Sequence, residues 1–205
     1  LLMLESKMTL PVCFVNIGGI SNITVLDDQG HIYAYETGPG MCLLDQYISR
    51  KKKINFDKGG KHSQKGIINL TILNKLMSDK YFNKNKNKSL DRNYFSVHPF
   101  MKLNFNDACS TISAFTALTI TKEANRFNAQ YLIVSGGGSK NKYVINLMKE
   151  TFKGKLFTAD HLNLNPDFIE SQAFAYLGIR RMKNLSISFP STTGVKYSVT
   201  GGKVN

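Results

Sequence analysis

Three glycine-rich stretches and one carboxylate carry the chemistry legible in this chain: Asn16-Ile-Gly-Gly-Ile-Ser-Asn22, Glu36-Thr-Gly-Pro-Gly40 and Ser135-Gly-Gly-Gly138. Loops of this kind let backbone approach a phosphate, and a glycine loop that opens a helix adds the positive end of the helix dipole. Phosphoryl transfer needs such donors, a metal ion, and a carboxylate that takes the proton from the attacking hydroxyl or water. Glu36 ends a strand directly before Thr-Gly-Pro-Gly, where a carboxylate can project into a cleft as general base. Gly18 and Gly19 follow a buried strand and can admit a phosphate, while Asn16 and Asn22 can fix the loop or contact a ligand. Gly136, Gly137 and Gly138 allow close approach of an adenosine or phosphate at a helix start. A ligand-free reading stands beside each: a tight turn between paired strands for the first pair, and a strained strand-to-helix turn for the triplet. Asp45 reads equally as helix surface or cap, and the four histidines are scattered among polar neighbours and read as surface groups.

These residues need strands and helices to hold them. Val12 to Asn16, Ile23 to Leu26 and Ile32 to Glu36 read as short strands, with Asp27-Asp-Gln-Gly30 as the turn between the last two. The pattern then turns helical, over about 43–52 and again over 61–79, where Ile67, Leu70, Leu73 and Met77 keep a three-or-four spacing. Residues 80–99 are polar and irregular and read as a long surface loop with a short ordered motif inside it. A helix over about 107–127, a strand ending at Val134, a helix over 141–152, a strand near 156–158 and a helix over 166–182 complete the pattern. Proline near the first turn of that last helix and Arg180, Arg181 and Lys183 at its end agree with the helix dipole.

A chain of 205 residues with 42% apolar composition can bury a real core. Its longest apolar runs fall far short of the roughly 18 to 20 residues that a membrane span needs, so no membrane association is expected. The start of the chain does not read as a secretory signal, and the three cysteines have neither disulfide-framework nor zinc spacing. The expected compartment is a reducing cytoplasm. The net charge of +13 could suggest an acidic partner. Most of the excess, however, sits in Lys-Asn stretches such as 51–53 and 83–88, which read as solvated loops and helix ends, so nucleic acid is not expected as a partner.

Taken together, Val15-Asn-Ile-Gly-Gly-Ile-Ser-Asn22, Tyr35-Glu-Thr-Gly-Pro-Gly40 with Leu44-Asp45, Phe56-Asp-Lys-Gly-Gly-Lys61, Tyr81-Phe82, Lys88-Ser-Leu-Asp-Arg-Asn-Tyr-Phe95, Val134-Ser-Gly-Gly-Gly-Ser-Lys-Asn141, Glu170-Ser-Gln-Ala-Phe-Ala-Tyr-Leu177 and Pro190-Ser-Thr-Thr-Gly194 resemble anhydro-N-acetylmuramic acid kinase. The resemblance implies an α/β fold: a lobe of the actin-like ATPase and sugar-kinase (ribonuclease H-like) superfamily, with a mixed sheet flanked by helices. It also implies ATP- and Mg²⁺-dependent opening of 1,6-anhydro-N-acetylmuramic acid to N-acetylmuramic acid 6-phosphate, a step of peptidoglycan recycling. Glu36 then stands at the position of the water-activating base, Gly18 and Gly19 and the triplet Gly136 to Gly138 border the nucleotide, and Asn141 lies beside them. No residue is assigned to a metal.

This chain departs from the family pattern in three respects. Glu36 replaces the usual Asp, and its extra methylene moves the carboxylate by roughly 1 Å, a shift that can slow catalysis on the order of 100-fold. Met41 replaces an Asn and Asp91 replaces a Gly. The Gly-Thr-Ser-x-Asp-Gly phosphate loop of the family's N-terminal subdomain is absent from the sequence. Residues 1–205 are therefore expected to be the C-terminal portion of a two-lobed kinase: a strand-led segment over about 11–40, a helical segment and polar loop over about 41–106, and a nucleotide-side α/β unit over about 107–205. The expected partners are a separately encoded N-terminal half and a second copy in a homodimer. Three functions compete: a split kinase, a non-catalytic remnant or nucleotide-binding subunit, and a basic binding module.

Overall fold

The computed structural model describes residues 8–83, 88–162 and 168–203. The described residues form a five-stranded sheet in the order β3-β2-β1-β4-β5. Strands β1 (Val12–Ile17), β2 (Ile20–Leu26) and β3 (Ile32–Pro39) run antiparallel as a meander. Strands β4 (Tyr131–Ser135) and β5 (Lys155–Thr158) add to β1 in parallel. The β2–β3 turn is closed by Asp27, whose Oδ1 accepts from the backbone N–H of Gln29 at 3.0 Å and of His31 at 2.7 Å, as an Asx turn does. This mixed sheet with flanking helices is the ribonuclease H-like lobe expected above.

One long helix organises the packing. Helix α3 (Phe105–Arg126) is buried on nearly every side, and its inward residues are mostly small. Ala117, Ile120 and Ala124 face the sheet with Cys13, Val15, Ile17, Leu132 and Val134. Ala108, Cys109, Ile112 and Phe115 face the other way, toward α1 (Cys42–Lys52) and α2 (Leu70–Met77). A helix buried on nearly every side has to be sandwiched between layers, and α3 is. Its buried hydroxyls find carbonyl partners: Thr116 Oγ1 donates to the distant Gly40 carbonyl at 2.9 Å and Thr119 Oγ1 to the Thr116 carbonyl one turn back at 2.9 Å. Helix α4 (Lys142–Thr151) covers the sheet beside α3 through Val144, Ile145 and Met148, and completes the parallel β4–α4–β5 unit.

Two expectations are corrected. The helix over 61–79 shrinks to α2, because Gly66 is extended and presses against the Asn106 backbone, where a side chain would not fit. Ile67 and Leu70 are consequently exposed; Asp107 holds the Ile67 N–H at 2.8 Å and Asn69 caps α2. The polar stretch 80–99 is not a mere surface loop. Tyr81, Phe82, Leu90, Phe95 and Val97 are buried in the second core, and Phe95 meets Phe82 and Phe115 ring to ring. Aromatic anchors in a polar sequence escape a reading based on average composition.

Helix α5 (Ile169–Met182) follows, and the proposed start of that helix at Pro166 and Asp167 lies outside the described residues. Helix α6 (Pro190–Thr193) rests against β3. Among the described residues no helix is long and apolar enough to cross a membrane. Cys13, Cys42 and Cys109 are free and buried, and burial pushes the thiols of Cys13 and Cys109 up to about 12, which leaves them protonated at neutral pH.

Candidate functional site

The glycine stretches converge at the carboxyl ends of β1 and β4, where α1 and α4 begin. Gly18 and Gly19 make the β1–β2 turn, and their carbonyls accept from Gly40 N at 2.9 Å, Met41 N at 2.8 Å and Cys42 N at 3.1 Å. The second glycine loop is thereby strapped onto the first. The third closes from the other side: Gly136 has φ +82°, and a Cβ there would sit 2.8 Å from the Ile17 carbonyl oxygen. Gly138 packs just as tightly, with Ile17 Cβ at 2.7 Å from such an atom, whereas Gly137 has nothing within 4 Å. Gly136 and Gly138 thus serve close backbone packing, and Gly137 is the open member.

A cleft of about 610 Å³ lies over this junction. Its walls include Gly18, Gly19, Asp45, Phe56, Asp57, Gly137, Gly138 and Asn141. Crevices outside the carboxyl ends of parallel strands are where open α/β sheets take ligands. Asn141 is almost fully buried, and its Oδ1 caps α4 by accepting from Tyr143 N at 3.1 Å and Val144 N at 3.2 Å. Its Nδ2 is buried with no hydrogen-bond partner. A buried amide donor without a partner, on a residue of the cleft wall, favours the approach of an acceptor atom, because an unmade buried hydrogen bond is unfavourable by about 1 to 3 kcal/mol.

Two carboxylates border the same cleft. Asp57 is a structural brace: it accepts from His62 N and Ser63 N, each at 2.9 Å, and from Ser63 Oγ at 2.7 Å. Burial pushes the Asp45 carboxyl up to about 6, with Arg92 opposing and Asp57 adding to the shift. A perturbed acid in a cleft marks a site candidate. A carboxyl whose pKa rises on folding holds its proton more tightly folded than unfolded, so its ionisation erodes stability as pH climbs from the ordinary 3.8 through about 6. Asp45→Asn should therefore raise the melting temperature at about pH 7.5 and leave it unchanged at about pH 3, which paired thermal melts will read.

Glu36 does not share this cleft. It lies in a second hollow of about 440 Å³, with Asn22, Tyr35, Lys88, Ser89, Thr192, Thr193 and Gly194. The Glu36 carboxylate accepts from the Leu90 N–H, and its carbonyl accepts from Tyr81 Oη at 2.8 Å. The structure thus brings Gly18, Gly19, Gly137, Gly138 and Asn141 together, sets Gly136 behind them, and holds Glu36 apart on β3. Beside Glu36 lies a group that sequence reasoning did not single out: Lys88 and Glu123 form a buried ion pair, Arg126 reaches Glu123 at 2.8 Å, and Tyr35 Oη donates to Glu123 at 2.9 Å. The available signal was a charged residue, Glu123, among inward-facing positions of a buried helix.

Comparison with known proteins identifies the family. A family model described as anhydro-N-acetylmuramic acid kinase matches residues 2–205. The anhydro-N-acetylmuramic acid kinase of Zymomonas mobilis is 34% identical over 98% of this chain and 56% of its own length. That of Methylorubrum populi is 33% identical over 95% of this chain and 52% of its own. The chain spans about half the length of the curated relatives it matches. Among solved structures, the activator of the 2-hydroxyisocaproyl-CoA dehydratase from Clostridium difficile, with bound ADPNP, superposes with a TM-score of 0.51 at 13% identity, over 88% of this chain and 66% of that one. The likeness to that structure is one of fold alone. Across nearly its whole length, this chain belongs to the anhydro-N-acetylmuramic acid kinase family.

Proposed function

We propose that this chain supplies the nucleotide-side half of an ATP- and Mg²⁺-dependent kinase that opens 1,6-anhydro-N-acetylmuramic acid to N-acetylmuramic acid 6-phosphate. The observation that carries the reading is the glycine cleft with its open Asn141 donor, in a chain of this family. Gly18, Gly19 and Gly137 border the phosphates, and Asn141 Nδ2 donates to an acceptor of the nucleotide. ATP supplies the transferable γ-phosphoryl group, and Mg²⁺ arrives with it, held chiefly by phosphate oxygens. Glu36 takes the proton of a water that forms a bond to the anomeric carbon; the bond from that carbon to O6 breaks, and O6 acquires the γ-phosphoryl group as its bond to the β-phosphate oxygen breaks and ADP leaves. Asn22, Ser89, Thr192 and Thr193 line the hollow at Glu36, a set of hydroxyl and amide groups that fits a polyhydroxylated ring.

The remaining length of the family chain is the expected partner. Phe174, Ile179 and Met182 on α5 are more than half exposed, and several large apolar side chains left in water on one helix favour a second polypeptide. A second copy of this chain, in a homodimer, is the other candidate for that face. A second functional reading, a non-catalytic nucleotide-binding subunit, draws on the separation of Glu36 from the glycine cleft, since the two hollows share no lining residue.

The test is a phosphoryl-transfer assay with ATP, Mg²⁺ and the anhydro sugar, on the chain alone and with the family's N-terminal portion added. Turnover on addition is expected. Its absence in both, from folded protein, overturns the kinase reading in favour of the binding subunit. Gly137→Val tests the cleft separately: the position has room for a side chain, so the melting temperature should hold while affinity for a fluorescent ATP analogue falls at least about tenfold.

A further inference from the structure

We propose that Lys88 is the positioning residue for Glu36. The inference rests on Glu36 being the base, and it concerns how that carboxylate is aimed. Glu36 is held on three sides. Its N–H donates to the Lys88 carbonyl at 3.1 Å, its carboxylate accepts from the Leu90 N–H, and its own carbonyl accepts from Tyr81 Oη at 2.8 Å. Two of the three holds come from the short stretch 88–90, laid against edge strand β3. The direction of the carboxylate therefore depends on what fixes that stretch.

Lys88 fixes it. Its side chain is fully buried and its ammonium pairs with Glu123. The Nζ also lies 5.4 Å from the ring centroids of Tyr35 and Tyr81 and 5.9 Å from that of Phe82, within cation–π range. The Glu123 carboxylate is itself oriented by Arg126 and by Tyr35 Oη. A chain of fixed contacts thus runs from α3, the most buried helix, through Glu123 and Lys88 to the backbone that grips Glu36.

Stability alone is a poor reason for this arrangement. A buried ion pair is often no better for stability than apolar side chains of the same volume, whereas it does specify register. Register is what matters here, since a shift of one residue along β3 would turn the Leu90 N–H away from the carboxylate. Lysine at 88 therefore serves the aim of Glu36.

The experiment reads the Leu90 amide proton by NMR during an acid titration of the chain as it exists. An N–H that donates to a carboxylate shifts when that carboxylate takes a proton. The native chain should show the shift and Glu36→Gln should lose it. Lys88→Ala should lose it too, with amides of β1 and β4 unmoved, while Lys88→Arg, which still pairs with Glu123, should keep it. Retention of the full shift in Lys88→Ala overturns the proposal. If Lys88→Ala does not fold, the double variant K88A/E123A, which leaves neither member of the pair buried alone, carries the same readout.

In the complemented kinase, Lys88→Ala should lower kcat by about 100-fold, as a misplacement near 1 Å does, with KM for ATP unchanged. Lost NMR coupling without turnover in any chain would sustain the positioning role and sink the kinase reading. Persistent coupling would sink the positioning role whatever the turnover.

Discussion

Glu36→Gln is expected to remove turnover in the complemented kinase almost entirely, lowering kcat by about 10² to 10⁴, the range that a positioned general base contributes. Glutamine is the informative replacement because its amide oxygen still accepts from the Leu90 N–H that holds Glu36. The backbone contacts of Glu36 with Lys88 and Tyr81 are untouched by the change. Melting temperature and ATP-analogue affinity should therefore match the native chain, and only basicity is lost. Steady-state kinetics with the anhydro sugar measures the effect. If kcat stays within a few-fold of native, Glu36 is not the base.

The largest expected change in stability comes from Glu123→Gln. Lys88 would then keep its full charge in a site closed to water, and removing one partner of a buried pair destabilises by about 3 to 5 kcal/mol. Urea denaturation at neutral pH will show it as a lower midpoint with an unchanged slope. The pH dependence has a definite sign. Burial already lowers the Lys88 pKa below its ordinary 10.5, against the opposing support of Glu123, and loss of that support lowers it further. A lysine whose pKa falls on folding is protonated more in the unfolded chain, so stability rises with pH between the folded value and 10.5. The deficit of Glu123→Gln relative to native should accordingly shrink as the solution is made alkaline. A deficit that is constant from neutral to about pH 10 would show that Lys88 keeps its proton in the variant.

Both effects belong to a segment whose sequence conceals its importance. Lys88 closes a run of alternating Asn and Lys, and such a run is normally solvated. Its side chain is nevertheless among the most deeply buried charges described, because Glu123 and the rings of Tyr35, Tyr81 and Phe82 surround it. Glu123 and Tyr35 lie far from Lys88 along the chain, so no local window could pair them with it. The stripe Ile67, Leu70, Leu73, Met77 failed for a related reason: its periodicity is helical, yet the close approach of extended Gly66 to α3 delays the start of the helix to Leu70, and two of the four are exposed.

Strands, helices and loops were legible because they follow local patterns. The short apolar run from Val12, the helical pattern over 141–152 and the Asp27 turn each depend on residues within a few positions of one another. The glycine loops, with the other motifs and their order along the chain, likewise indicated the family. Tertiary structure alone decided which glycines pack and which one opens: Gly40 and Gly138 are demanded by Gly18 and Ile17, whereas Gly137 faces free space. It also decided that the buried Asn141 amide beside the cleft lacks a partner for its donor and that Glu36, held by residues 88–90, faces a separate hollow. The physical reason is range: backbone propensity acts over a few residues, while burial, ion pairing and close approach join positions that only the folded chain makes neighbours.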